Sequence, residues 1–246
     1  MKPVLLVIAH GSRDPRHAAT VHALVRRVRS LRPDVRVETG FLDFNIPSVQ
    51  GVLESLAAEG VRDVVALPLL LTRAFHAKAD IPAVLRDAPR QLRIRQAEVL
   101  GPSPLLLSAL ERRLYEAGLT PADKSSTGVV LASAGSTDPE AIAVIADIAR
   151  EWRHTGWCAV RPAFASAALP RTEDAVRELR ALGCATVAVA PYVLAPGFLP
   201  DRIARGAAEA DVLAEVLGPA PEVARVLLRR YDAAAARGLL RLTVSA

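Results

Sequence analysis

Two histidines and an aspartate occupy equivalent places along the first hundred residues. His10 stands one residue beyond the apolar run Pro3–Ala9. Asp43 stands one residue beyond Val35–Leu42, and His76 lies a few residues beyond Asp63–Leu71. If these runs are strands of one parallel sheet, all three residues follow carboxyl ends. They then lie along the edge where open α/β sheets bind ligands. Two imidazoles and a carboxylate converging there make a divalent-metal site with open positions, of a donor type suited to Fe, Co, Ni, Cu or Zn. A single histidine after a strand has a plainer reading, as a polar loop residue. It is the set of three on one edge that points to metal.

The other candidates read more simply. His17 and His22 fall on the first helical stretch, and His154 falls at a helix end. Cys158 and Cys184 sit in apolar strand or pre-strand contexts without C-x-x-C spacing, which predicts buried structural thiols. Neither a Walker sequence nor G-x-G-x-x-G occurs, so nucleotide binding has no motif behind it. Gly11-Ser12-Arg13-Asp14-Pro15 opens a helix, and free amides at a helix start favour an anion. Arg13, Arg16, Arg73 and Lys78 would add positive charge at the same edge. The competing reading is that Ser12 or Asp14 caps the helix, with Pro15 in its first turn.

The elements that position these residues alternate. Strand Pro3–Ala9 is followed by a helix near Arg16–Leu31, in which Val21, Leu24, Val25, Val28 and Leu31 recur at helical spacing. Strand Val35–Leu42, helix Ser48–Glu59 and strand Asp63–Leu71 come next. Helix Ile81–Leu92, strand Arg93–Leu100 and helix Leu105–Ala117 complete the series. Such alternation predicts an α/β fold with a doubly wound parallel sheet. The polar segment 119–127 reads as a linker, after which the pattern begins again. Ala9-His10-Gly11-Ser12-Arg13-Asp14-Pro15 aligns with Ser133-Ala134-Gly135-Ser136-Thr137-Asp138-Pro139, and Pro68 with Pro191. The chain is therefore expected to hold two tandem flavodoxin-type domains, 1–118 and 128–246, related by a duplication of about 120 residues. Residues shared by both copies serve the fold. Residues that only the first copy carries serve function: His10 faces Ala134, Asp43 faces about Ser166, and His76 faces about Leu199. One half is active and the other degenerate.

Composition narrows the partners. With 51% hydrophobic and 23% charged residues in 246, the chain is long and apolar enough to fold around a real core. Two cysteines are too few for a disulfide scaffold. The apolar N-terminal run is shorter than a signal peptide's, and nothing approaches the ~18 residues of a membrane span. A cytoplasmic protein with no membrane partner is expected. The net charge of +5 favours anionic ligands, but the basic residues are scattered. With only 2 Trp, 3 Tyr and 5 Phe, the chain offers few stacking platforms. A small polyanionic ligand fits this balance better than nucleic acid does.

The first half resembles the sirohydrochlorin chelatases, the small class II tetrapyrrole chelatases. The resemblance rests on Ala9-His10-Gly11-Ser12-Arg13, on Phe41-Leu42-Asp43 followed by Ile46-Pro47-Ser48, and on Leu69-Leu70-Leu71 leading to His76 and Asp80-Ile81-Pro82. The two-half layout resembles the family's long form. Asp43 stands where the family often has Glu, and Ala74 where it has Gly before the second histidine. The resemblance implies an ATP-independent lyase that inserts Fe²⁺ or Co²⁺ (Ni²⁺ in some relatives) into sirohydrochlorin, for siroheme or cobalamin biosynthesis. It further implies that His10, Asp43 and His76 handle the metal, with His10 and His76 as the catalytic pair. Gly11, Ser12, Arg13 and Lys78 would anchor the carboxylate rim of the macrocycle. A monomer or a homodimer is equally compatible. Two other functions stay open on the residues alone. One is a non-catalytic carrier of metal or tetrapyrrole. The other is a phosphohistidine enzyme, against which stands Ala9, where an Arg usually precedes the histidine.

Overall fold

A computed structural model describes residues 2–73 and 80–243, with side chains through residue 237 of the last helix. His76 and Lys78 fall outside the described residues. The first sheet holds β1 (Val4–Ala9), β2 (Val37–Phe41), β3 (Asp63–Pro68) and β4 (Arg93–Gln96) in the order β2-β1-β3-β4, all parallel. Connecting them are α1 (Pro15–Leu31), α2 (Val49–Ala58) and α3 (Ile81–Arg86), with α4 (Pro104–Glu116) following β4. The second sheet repeats the arrangement with β5 (Thr127–Ser133), β6 (Ala159–Phe164), β7 (Thr186–Tyr192) and β8 (Val212–Leu213) in the order β6-β5-β7-β8. Its helices are α5 (Pro139–Arg153), α6 (Thr172–Ala181) and α7 (Phe198–Gly206), and α8 (Pro221–Thr243) ends the chain. The expected doubly wound parallel architecture is therefore present twice. Among the described residues no helix is long and apolar enough to cross a membrane.

Each central strand is apolar throughout because both its faces are covered. All six residues of β1 are buried. Val4, Leu6 and Ile8 point to one face and pack with Val49, Val52, Leu53 and Leu56 of α2. Leu5 and Val7 alternate to the other face, which α1 and α8 cover. Several elements are shorter than their apolar patterns predict. Strand β4 keeps four of the eight residues expected, as an edge strand that pairs on one side only. Helix α3 stops at Arg86 rather than Leu92, just ahead of Pro89, whose ring disfavours helical backbone before it.

The halves expected from the repeat, 1–118 and 128–246, differ from the compact units in one respect: their last helices are exchanged. One unit comprises the described residues of Met1–Gly101 and Pro219–Ala246, and the other comprises Pro102–Gly218. Helix α8 thus belongs to the first sheet. Its buried Tyr231 donates to the Pro3 carbonyl (2.7 Å), and Arg230 donates to the Leu100 carbonyl (3.2 Å). Helix α4 packs instead on β7 of the second sheet. Segment 119–127, expected as a plain linker, contains a 3-10 turn, Pro121–Ser126, held by a capping box between Thr120 and Asp123.

One carboxylate oxygen secures α4. Glu111 Oε1 accepts from Lys124 Nζ (2.6 Å), from Thr155 Oγ1 (3.2 Å), and from the indoles of Trp152 and Trp157 (3.3 Å each). Partial burial alone would lower the pKa of Lys124, but the Glu111 carboxylate holds it above its usual range. Removing the carboxylate strands an ammonium and two indole N–H groups at a protein interior. E111A should therefore cost about 3 kcal/mol, lowering the melting temperature by roughly 6–12 °C. E111Q, which keeps a carbonyl acceptor, should lose clearly less in the same thermal melt. Equal losses for the two variants would contradict this account.

Candidate metal centre

Strands β1 and β2 are neighbours in register, with Ala9 beside Phe41. Their pairing continues past the strand ends. The Leu42 N–H donates to the Ala9 carbonyl (3.0 Å), and the Asp43 N–H donates to the His10 carbonyl (2.9 Å). His10 and Asp43 are thereby joined through their backbones at the carboxyl edge, and both are exposed. The neighbours of β1 are β2 on one side and β3 on the other, so His10 sits where the chain's winding reverses, the usual ligand crevice of such sheets.

A turn at Gly11 permits the pairing. Its φ is +95°, and a Cβ there would lie 1.9 Å from the Asp43 carbonyl oxygen. Beyond Gly11 the Ser12 N–H donates to Asn45 Oδ1 (2.8 Å), and Ser12 Oγ accepts from the Asp14 N–H (3.1 Å). Asp14 caps α1 by accepting from the Arg16 N–H (2.9 Å), with Pro15 at the first helical position. On the other loop, Asp43 Oδ1 accepts from the Phe44 N–H (2.8 Å), leaving Oδ2 for another partner. Phe44 adopts a left-handed backbone (φ 60°), and the Ile46–Pro47 peptide is cis. The Phe44 ring meets the His10 imidazole edge-on (6.3 Å, 84°), and the Arg13 guanidinium lies over the same ring at 5.3 Å.

These contacts correct part of the expected anion site. The Ser12 amide is occupied by Asn45, and Asp14 caps the helix, so the helix start does not present a row of free amides. Gly11 is buried and is required by the turn. Of the four cations expected at this edge, Arg16 is turned onto Asp14 (2.6 Å) and Arg73 faces Glu98 (3.8 Å). Lys78 is outside the described residues, which leaves Arg13, exposed over Phe44. Among the described residues no three His, Cys, Asp or Glu side chains form a metal-binding group. The third expected ligand, His76, is not among those residues.

The remaining histidines lie on the helices: His17 and His22 are partly buried on α1, and His154 is exposed at the end of α5. Burial, and then repulsion from the His10 imidazole, lower the pKa of His17, with Asp14 opposing them. His22 packs edge-on to Phe41 (5.8 Å), and His154 caps the end of α5. The cysteines depart from expectation: Cys184 is buried, but Cys158 is exposed.

The second unit reproduces this backbone almost atom for atom. The Ser166 N–H donates to the Ala134 carbonyl (3.0 Å), as Asp43 does to His10. Gly135 has φ +95°, and a Cβ on it would lie 1.9 Å from the Ser166 carbonyl oxygen. Asp138 caps α5, Ala167 is left-handed (φ 62°), and Leu169–Pro170 is cis. The expected matches of His10 with Ala134 and of Asp43 with Ser166 are therefore structural equivalences. The same correspondence sets Phe44 against Ala167 and Asn45 against Ala168. These are two first-half residues that the sequence reading passed over, although the repeat held the signal. A left-handed backbone at a non-glycine residue costs roughly 1–2 kcal/mol, and it occurs at this position in both units. The loop shape therefore belongs to the fold, while the side chains it carries differ.

Comparison with known proteins bears on the same residues. The model of the CbiX family matches residues 4–117 and again 128–234. A sirohydrochlorin cobaltochelatase of Priestia megaterium is 31% identical over 210 residues, covering 82% of this chain and 67% of that protein. A sirohydrochlorin ferrochelatase of Bacillus subtilis is 27% identical over 248 residues, covering 96% and 93%. Among solved structures, SirB from Bacillus subtilis with Fe³⁺ superposes with a TM-score of 0.81 at 26% identity, over 97% of each chain. The cobalt complex of the chelatase SirB from the spizizenii subspecies gives 0.77 at 25% identity, over 96% of each.

Proposed function

The chain belongs to the CbiX family, and from that membership we propose that it is a sirohydrochlorin chelatase, inserting Fe²⁺ or Co²⁺ into the macrocycle in the cytoplasm without ATP. The metal and the tetrapyrrole are both substrates. The observation that carries the reading is the backbone pairing of His10 with Asp43 at the ligand edge of the first sheet, set against Ala134 and Ser166 on the same backbone in the second. Two units with one loop geometry differ in the side chains that handle metal. Relatives matched over 82% and 96% of the chain bear the names of a cobalt and an iron chelatase.

The chemistry follows from the donors. A dication entering the macrocycle displaces two pyrrole N–H protons, so the site must both hold the metal and accept protons. A neutral imidazole does either near pH ~7. His10 and His76 bind the incoming ion, and as it passes to the ring nitrogens at least one of them takes a pyrrole proton, the second proton going to the other imidazole or to water. Asp43 lends its Oδ2 to the ion or orients an imidazole. Being one methylene shorter than Glu, it reaches less far from the loop. The ring itself needs apolar contact. Phe44 is 50% exposed and Ile46 88%, too open for either to serve the core; the Phe44 ring meets His10, and Ile46 follows on the same loop. They form the surface on which the macrocycle lies. Arg13, together with Lys78 and the Ser12 hydroxyl, receives its carboxylates, in keeping with the net charge of +5.

Anaerobic incubation of the protein with sirohydrochlorin and Fe²⁺, Co²⁺ or Ni²⁺, followed by the macrocycle's absorbance, tests this directly. Catalytic insertion of at least one of the first two ions is the expected outcome. Stoichiometric binding of ring or metal without turnover would replace the chelatase with a carrier.

A further inference from the structure

Metal insertion makes no use of the two thiols at the amino-terminal edge of the second sheet. Cys158 immediately precedes β6, and Cys184 lies two residues before β7. Strands β6 and β7 flank β5 on opposite sides, so the cysteines start on either side of the central strand. Their Sγ atoms nevertheless approach to 3.9 Å. Gly128, at the start of β5, allows this: a Cβ there would lie 2.7 Å from the Cys184 sulfur. Both backbones are anchored. The Cys158 N–H donates to the carbonyls of Lys124 (2.9 Å) and Thr127 (3.2 Å), and the Cys184 N–H donates to the Leu179 carbonyl (3.2 Å). The two thiols differ in access, since Cys158 is exposed and Cys184 buried.

We propose that Cys158 and Cys184 form a dithiol that a low-molecular-weight disulfide oxidises to an intramolecular disulfide. The Cys158 thiolate attacks one sulfur of the reagent, forming a mixed disulfide and expelling one reagent thiolate. Cys184 then gives up its proton and attacks the Cys158 sulfur, which closes the protein disulfide and expels the second reagent thiolate. The protein loses two electrons and two protons, and the reagent disulfide is reduced to two thiols. Access sets the order: the solvent-facing sulfur meets the reagent, and the enclosed one resolves the adduct. Burial and the neighbouring Cys158 raise the Cys184 pKa, with Arg161 opposing, which suits a thiol that stays protonated until an adduct forms beside it. Because β6 and β7 lie on opposite sides of β5, about two strand spacings apart, bringing the sulfurs from 3.9 Å to about 2.05 Å takes side-chain rotation together with a shift of the short segments that precede the two strands.

The test uses the whole chain with glutathione disulfide as oxidant, trapping with N-ethylmaleimide and intact-mass analysis. The wild type should lose both alkylatable thiols, retain no glutathione, and yield a Cys158–Cys184 cross-linked peptide on digestion. C184S should stop at one glutathione on Cys158. C158S, left with the buried thiol, should react at least about tenfold more slowly than the wild type. A thermal melt of each variant separates misfolding from altered reactivity, and the wild-type result decides the matter without them. A wild type that holds glutathione as C184S does, or that keeps both thiols, overturns the proposal.

Discussion

H10A should insert metal at least a hundredfold more slowly than the wild type while melting at the same temperature. Loss of a positioned proton acceptor costs 10²–10⁴-fold in general, and His10 would also lose its hold on the ion. Stability should be spared. His10 is exposed, and the loop that carries it is fixed by backbone hydrogen bonds that an alanine keeps. Ala134 shows as much, because it occupies the same backbone in the second unit with the same pairing to its neighbour loop. Exposed substitutions of this kind usually stay within about 0.5 kcal/mol. The measurement is an anaerobic initial rate from macrocycle absorbance with Fe²⁺ and Co²⁺, beside a thermal melt. A rate near that of the wild type would remove His10 from the mechanism. A lowered melting temperature would mean that the loop depends on the imidazole, and the activity loss would then say little about chemistry.

The parallel sheets were legible because fully buried strands leave continuous apolar runs such as Val4–Ala9 and Val64–Leu67, with capping residues after them. The repeat exposed the candidate site for a physical reason. A duplicated loop keeps what its backbone requires, such as Gly11 and Gly135, and is free to change the side chains that its backbone does not require, such as His10, which faces Ala134. Applied to every loop residue, the same subtraction also isolates Phe44 and Asn45. Helix exchange was not legible. Leu106, Ala109, Leu110 and Leu114 give α4 an apolar stripe, and Val223, Leu227 and Tyr231 give α8 another. A stripe shows that a face is buried without naming the sheet it packs against. That choice lies in tertiary contacts such as Glu111 with the two tryptophans and Tyr231 with Pro3. Whether the helix start offers an anion site is not legible either, because a free amide and a capped one look alike in sequence. Asn45, 33 residues from Ser12, decides which it is.

G11A and G135A should cost similar stability but very different activity. Each glycine has φ +95°, and at each an added Cβ would lie 1.9 Å from a carbonyl oxygen of the neighbouring loop. That separation lies well inside any allowed contact, so the loops must part. Strain in the left-handed region adds roughly 1–2 kcal/mol, and the total should reach about 2–4 kcal/mol for either variant. In the first unit the displaced loop is the one that sets Asp43 beside His10. A shift on the order of 1 Å in such a pair can cost about 10²-fold in rate, and G11A should fall by that much even when folded. In the second unit the displaced loop carries Ser166, whose hydroxyl donates to the Ala134 carbonyl (2.9 Å), and Ala168, so it offers neither an imidazole nor a carboxylate, and G135A should keep its rate within about twofold per folded molecule. Urea titrations measure the two stabilities, and initial rates well below both midpoints measure the two activities. If the variants lose activity in equal measure, the division into one working edge and one silent edge is wrong. In that case the second unit contributes to metal insertion through something other than the residues that its loops have lost.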